Sequence, residues 1–204
     1  MTFDKSRFEE AIALWTEWND KINVVSRKDI DKLYEHHILH SLSIAQRRPF
    51  SPGETVLDLG CGGGFPGIPL AMVMPEVQFT LCDSIGKKVK VAADVAARLG
   101  LGNVTCINAR AETLSGPYDW VVSRAVTSLD KFYPWVKGKF RKGILYLKGG
   151  DVNEEIAAMC GKCGVKPGNV SVWPINEWLK DEYFAEKFVI EIGKDYLCPP
   201  EFDK

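Results

Sequence analysis

Four glycines within five positions, Gly60, Gly62, Gly63 and Gly64, follow directly on the apolar run Val56, Leu57, Asp58 and Leu59. Glycine tolerates positive φ and carries no Cβ, so a ligand can approach the backbone closely there. The run before them reads as a buried parallel strand. Pro66 and Pro69 are tolerated in a first helical turn, so a helix is expected to start between them and to carry Leu70, Ala71 and Met72. Strand, glycine turn and helix make a nucleotide-binding corner, and amides free at a helix start favour an anionic group. A tight turn with no ligand needs fewer glycines. About twenty residues on, Asp83 closes a second apolar run, where its carboxylate is placed to accept hydrogen bonds from ribose hydroxyls. The pairing points to an adenosine-type cofactor and leaves open which one.

The elements that must position these residues follow from periodicity. Strands are expected at residues 55–59, 77–82, 104–107, 120–123 and 143–148, with helices at 87–99, 129–136 and 152–162 alternating between them. Alternation of this kind makes a doubly wound, mostly parallel α/β sheet. Residues 170–174 and 188–192 have too little helix between them for a crossover and are expected to pair as an antiparallel hairpin at one edge, giving seven strands. Upstream, Phe8, Ile12, Trp15, Trp18 and Ile22 recur at helical spacing, and a second helix runs to about residue 46 behind an N-cap arrangement of Ser26 and Asp29. The chain therefore divides into a helical extension, residues 1–48, packing on a core, residues 49–204. In such sheets ligands sit beyond the carboxyl ends of the strands. Those ends bring Gly60, Asp83, Arg110, Ala111, Glu112, Arg124 and Lys148 to one rim.

Composition narrows the function classes. The net charge of −1 argues against a protein that holds nucleic acid by bulk charge, so any RNA contact must be local. No apolar run approaches the roughly 18 residues of a membrane span, and the first ten residues, MTFDKSRFEE, lack the apolar centre of a secretion signal. A cytoplasmic location is expected. Cys61, Cys82 and Cys106 fall in or beside strands as small buried residues do. Cys160 and Cys163 form one C-x-x-C pair without the second pair or histidines that a structural zinc site needs. Cys198, before Pro199, reads as structural. His36 and His40 could share one helical face, but no glutamate completes an HExxH pattern, and packing or a hydrogen-bonded interface is expected. No metal is expected.

The motif LDLGCGGGFPGIPL resembles the first motif of the class I S-adenosylmethionine-dependent methyltransferases, and its FPGIPL tail resembles one branch, the glucose-inhibited division protein B family of bacterial small-subunit ribosomal RNA guanine-N(7)-methyltransferases. The segments WNDKINVVS, HHILHSL, LCDSIGKKVK, NARAE, VVSRAVTSL and YLKGG extend the resemblance over nearly the whole chain. It implies a Rossmann-like sheet with S-adenosyl-L-methionine bound by Asp58, Gly60, Gly62, Phe65, Asp83, Ala111, Glu112 and Arg124. Ala111 and Glu112 would border the adenine, and Arg124 would lie near the methionine part or the incoming base. The implied partner is small-subunit ribosomal RNA or a ribosomal particle, with the chain acting as a monomer. His40 departs from the aspartate more usual in the family's HILDS segment.

Ring nitrogen 7 of neutral guanine already offers a lone pair, so methyl transfer to it needs alignment and no general base. The strand end after residue 122 fits: Ser123, Arg124, Ala125 and Val126 stand where exocyclic-amine methyltransferases carry an Asn/Asp-Pro-Pro-aromatic tetrad, and no Pro-Cys nucleophile is present there. Arg124 is the catalytic candidate. Arg110, Lys148 and the run Lys139, Arg141 and Lys142, with Lys137 before it, are the RNA-binding candidates, the run reading equally well as a solvated loop. Tyr118 and Phe65 are candidates for stacking on an unpaired base, with buried packing the alternative. Two rivals stand: a nicotinamide-dependent oxidoreductase, which would want a catalytic Lys, Tyr or His in a substrate domain, and a catalytically silent RNA-binding module, which would have no need of the cofactor glycines.

Overall fold

The computed structural model describes residues 3–26 and 29–194. Seven strands form a single sheet: β1 (Thr55–Leu59), β2 (Gln78–Asp83), β3 (Val104–Asn108), β4 (Tyr118–Arg124), β5 (Phe140–Gly149), β6 (Val170–Pro174) and β7 (Lys187–Gly193). Their order is β3-β2-β1-β4-β5-β7-β6. The first five strands are mutually parallel, and β7 runs antiparallel to both β5 and β6. The expected antiparallel hairpin is thus present, with β7 inserted between β5 and β6. The central strands are buried on both faces, Val56, Leu57, Val121, Val122, Ile144 and Leu145 being wholly inaccessible, which is why they read as continuous apolar runs.

Six α-helices accompany the sheet: α1 (Glu9–Asn19), α2 (His40–Arg47), α3 (Gly67–Val73), α4 (Gly86–Arg98), α5 (Leu129–Val136) and α6 (Asn153–Cys163). Two apolar clusters lie on opposite faces. One joins α1, α2, α3 and α4 to β1 and β2 through Phe8, Trp15, Ile38, Leu42, Ile68, Phe79 and Val91. The other joins α5 and α6 to β4 and β5 through Leu129, Phe132, Val136, Tyr146 and Met159. The amino-terminal helix is an integral part of the first cluster. Trp18 donates its indole N–H to Asp94 at 2.7 Å and Arg98 pairs with Glu17 at 2.8 Å, which fixes α1 against α4.

The second helical segment differs from its sequence expectation. Asp29 stands at the cap position, but its carboxylate goes to His36 Nδ1 at 3.0 Å and caps no backbone amide. A single 3-10 turn (Ile30–Lys32) leads into a π-helical stretch (Tyr34–Leu39) before α2 begins. Wide turns of this kind often occur at functional sites; here His36, His37 and His40 lie in and just after it. His40 is buried, its ring edge-on to Phe184 and Tyr183 at 6.0 Å, and it contributes packing. Cys163 donates to the Asp130 carbonyl at 3.5 Å, joining α6 to α5. Cys198 lies outside the described residues.

Candidate active site at the carboxyl ends of the strands

A cleft of about 650 Å³ opens where β1, β2, β3 and β4 end. This is within the range of small-ligand sites. The glycine turn forms its floor. Gly60 has φ +76°, and a Cβ there would collide with the side chain of Val126. Gly60 and Cys61 both donate their N–H to the Cys82 carbonyl, at 2.8 and 3.1 Å, so the turn is laced to the end of β2. Trp15 donates its indole N–H to the Gly63 carbonyl at 2.8 Å, and Val24 lies where a Cβ at Gly63 would come within 2.8 Å. The amino-terminal segment thereby grips the turn and adds Val24 to the cleft wall.

Asp83 stands at the rim of this floor. One carboxylate oxygen accepts the Gly62 N–H at 3.0 Å and the other the Ile85 N–H at 2.8 Å. A carboxylate has about four acceptor positions, so roughly two remain for a ligand's hydroxyls. Ile85, 42% exposed, lines the cleft beside it together with Lys88, and Ala109, Arg110, Ala111 and Glu112 form the wall beyond β3. Trp135 of α5 also lines the cleft.

Asp58 occupies a different place. Its Oδ2 accepts the Gly67 N–H at 2.7 Å, the amide at the start of α3 that an anionic ligand was expected to use, and its Oδ1 is buried with no hydrogen-bond partner. Wholly inaccessible, it braces the turn from beneath rather than lining the cleft. Burial pushes its carboxyl up to about 7, against the downward pull of the Gly67 hydrogen bond.

Arg124, the last residue of β4, enters the cleft from the other side. Its Nη2 meets His37 Nδ1 at 2.9 Å, and its guanidinium carbon sits 5.1 Å from the centre of the Phe65 ring, itself packed on Trp15 at 4.3 Å. Arginine can only donate, so His37 Nδ1 must accept and the imidazole proton belongs on Nε2, which is buried without a partner. Burial, then the Arg124 charge, holds His37 down at about 3, and burial lowers Arg124 itself from its usual range. No carboxylate pairs with Arg124 among the described residues. The next residue, Ala125, has φ +49°, a left-handed conformation that costs a non-glycine residue about 1–2 kcal/mol. Val126, 38% exposed, follows it over Gly60.

Gly60, Gly62, Phe65, Asp83, Ala111, Glu112 and Arg124 therefore meet in one cleft, with Arg110 on its border. Phe65 is buried, which leaves packing as its role among the two weighed for it. The remaining cations do not join them. Lys148 pairs with Glu155 at 2.7 Å and keeps a side chain only 14% exposed. Arg141 pairs with Asp119 and Lys142 with Glu54, both at the amino end of β5 and hence on the opposite rim, where Tyr118 also begins β4. Lys139, one residue before β5, donates to the Leu114 carbonyl at 3.0 Å. Val24, Ser84, Ile85, Lys88, Ala109, Val126 and Trp135 are among the lining residues that sequence reasoning missed. Of these, Ile85 carries a signal: a large apolar residue two positions past the acid at a strand end.

Comparison with known proteins adds the last observation. The family model described as rRNA small subunit methyltransferase G matches residues 4–176. A protein of Christiangramia forsetii named ribosomal RNA small subunit methyltransferase G is 47% identical over 199 residues, 94% of this chain and 90% of that protein. One of the same name from Phocaeicola vulgatus is 51% identical over 196 residues, 92% of this chain and 90% of that protein. Among solved structures, magnesium protoporphyrin IX methyltransferase from Synechocystis PCC 6803, with bound SAM, superposes with a TM-score of 0.62 at 18% identity, covering 94% of this chain and 98% of that one. A SAM dependent methyltransferase from Aquifex aeolicus gives 0.60 at 18% identity over 94% and 99%. At this identity the structural likeness speaks for the fold alone.

Proposed function

Because the chain belongs to the rRNA small subunit methyltransferase G family, we propose that it transfers the methyl group of S-adenosyl-L-methionine to nitrogen 7 of a guanine in small-subunit ribosomal RNA. The observation that carries this reading is the convergence of the glycine turn, Asp83 and Arg124 on one cleft in a chain of that family.

The residues fit this cofactor. Asp83 keeps acceptor positions free for the ribose hydroxyls, Ile85 and Ala111 offer apolar surface for an adenine, and Arg124 is a cation with no carboxylate partner among the described residues, suited to the carboxylate of the methionine part. When bound, S-adenosylmethionine supplies an electrophilic methyl group on a sulfonium.

Every other part of the reaction falls to alignment. The guanine lone pair needs no proton removed, and His37, the histidine joined to Arg124, holds its imidazole neutral with Nδ1 already occupied. Asp83, the glycine turn and Arg124 therefore act by holding the reactants in line, an effect that lowers barriers by as much as about 7–11 kcal/mol in well-oriented systems. RNA approaches the carboxyl rim, with Arg110 and Lys88 meeting phosphates at its border.

The test is transfer of a labelled methyl group from S-adenosylmethionine to small-subunit RNA and particles that lack their own methylations, followed by mapping of the modified nucleotide. Labelling of one guanine at nitrogen 7 is expected. Labelling elsewhere would overturn the assigned atom, and cofactor binding with no labelling of RNA or particle would overturn the acceptor.

A further inference from the structure

The loop from β4 to α5 sets two walls of the cleft, since it follows Arg124 and carries Val126 over Gly60. Its left-handed Ala125 makes its shape one that most sequences would relax. The restraint on it comes from β5. Tyr146, wholly buried in the middle of that strand, accepts the Val126 N–H at 3.0 Å and the Thr127 N–H at 3.1 Å, and donates its hydroxyl to the Thr127 carbonyl at 2.9 Å. A phenol has one proton and two acceptor positions, so the loop engages both functions of the group, and the buried Ser123 hydroxyl of β4 lies against it as well. The neighbouring residues of β5 extend the grip. The Leu147 carbonyl takes the Ala125 N–H at 3.3 Å, and Lys148 holds Glu155, whose second oxygen takes the Leu129 N–H at 3.1 Å. The Tyr146 ring packs edge-on against Phe132 of α5, with centroids 4.7 Å apart.

We propose that Tyr146 is a positioning residue for the methyl transfer: its hydroxyl holds Val126 and Thr127, and through them the turn at Ala125, in the conformation that sets Arg124 and Val126 against the cofactor glycines. The inference deepens the methyltransferase reading and rests on it. A purely structural role for Tyr146 would ask only for the ring. Phenylalanine would fill the same volume beside Phe132 while leaving two amide donors and one carbonyl of the loop without their partner. In a reaction governed by alignment, a displacement of about 1 Å lowers the rate by up to roughly a hundredfold.

The full chain carrying Tyr146→Phe is compared with wild type and with Phe132→Leu, a packing control on the same ring. In Y146F, kcat is expected to fall by roughly ten- to a hundredfold with a much smaller change in KM for RNA. The Val126 and Thr127 amides should exchange with solvent at least about tenfold faster, read by mass spectrometry. F132L should lower the melting temperature and keep kcat. The proposal is overturned if Y146F keeps wild-type kcat, if exchange at both amides is unchanged, or if F132L loses kcat in the same proportion to its lost stability. Absence of methyl transfer by wild type would sink the functional reading by itself, and exchange at the two amides would still decide whether the hydroxyl holds the loop.

Discussion

Arg124 enters the cleft with part of its donor set already committed, to His37 Nδ1 and more weakly to the His36 carbonyl at 3.5 Å, so its guanidinium plane is fixed before any ligand arrives. Arg124→Ala should reduce methyl transfer by about a hundredfold, as misplacing a reactant by about 1 Å does; steady-state kinetics and thermal melts on the same preparation check that turnover suffers more than folding. Asp83→Ala removes an acceptor of charge-assisted hydrogen bonds worth about 1.5–3 kcal/mol, so affinity for S-adenosylhomocysteine should fall roughly ten- to a hundredfold with the fold intact. Calorimetric titration decides this, and unchanged affinity removes Asp83 from the site. The pH behaviour carries two opposite signs. His37 stays neutral down to about 3 in the folded chain, whereas an unfolded histidine takes up a proton below about 6.5, so its contribution to stability is lost as pH falls through that window. Asp58, raised to about 7, keeps a proton that the unfolded chain has released above about 4, so its contribution is lost as pH rises from 4 to 7. His37→Asn should therefore lower the slope of unfolding free energy against pH between 4 and 6, by up to about 1.4 kcal/mol per pH unit, leaving the opposing Asp58 contribution exposed. Denaturant titrations at several pH values measure the slope, and an unaltered slope would contradict a buried neutral His37. The positions of Asp83 and Arg124 were legible in the sequence, because an acid ending one buried parallel strand and a cation ending another must both lie at the carboxyl rim, and the cleft holds both. Asp58, inside β1 one residue before its end, turns under the glycine turn instead of into the cleft, which the apolar run around it did not reveal.

Among the elements, the first five strands and the helices α4, α5 and α6 were legible, since buried parallel strands and amphipathic helices impose different periods on the apolar residues. The π-helical stretch (Tyr34–Leu39) was not, because one widened turn leaves the apolar spacing of Leu33, Ile38 and Leu42 almost unaltered. Nor was Trp135 visible as a cleft residue: it sits on a helix beyond the strand end, and only the packing of α5 beside the Ala111–Thr113 turn brings it there. The basic run before residue 143 teaches a different lesson. A parallel strand that ends at the cleft must begin on the opposite rim, so the position of Arg141 and Lys142 followed from the sheet already inferred. At the amino-terminal end, α1 acts on the site through Trp15, by its bond to Gly63 and its packing on Phe65. Trp15→Phe keeps most of the ring packing against Phe65 and strands the Gly63 carbonyl, so stability should fall by about 1–3 kcal/mol and cofactor affinity with it. Denaturant unfolding followed by titration with S-adenosylhomocysteine separates the two effects; full affinity in the variant would mean that the glycine turn holds its shape without the indole.

At the scale of the whole molecule, charge is distributed by rim. The amino ends of β5 and β1 carry the pairs Arg141 with Asp119 and Lys142 with Glu54, while Arg110, Lys88 and Arg124 face the cleft. In a chain of net charge −1, the cations at the cleft are those left without a carboxylate partner among the described residues, while Arg141 and Lys142 on the opposite rim are paired. Arg110→Ala should lower the slope of log affinity against log salt by about 0.7–0.9 for each phosphate left without its cation, and Arg141→Ala should leave it unchanged. Filter binding over a salt series checks both, and an equal drop in the two variants would place RNA across both rims. No helix among the described residues is long and apolar enough to cross a membrane. The attachment of the amino-terminal helices has a consequence for how the molecule comes into being. Their partners, Gly63, Asp94, Arg98 and Arg124, lie 48, 76, 81 and 87 residues further along the chain. At about 5–20 residues per second of synthesis, roughly 4–17 s pass between the making of His37 and that of Arg124, and the aromatic face of Phe8 and Trp15, made earlier, waits longer for that last partner. The nascent chain spends that interval with an apolar helical face whose partners are only partly made, so slow translation or scarce chaperones should reduce its yield before they affect any finished molecule.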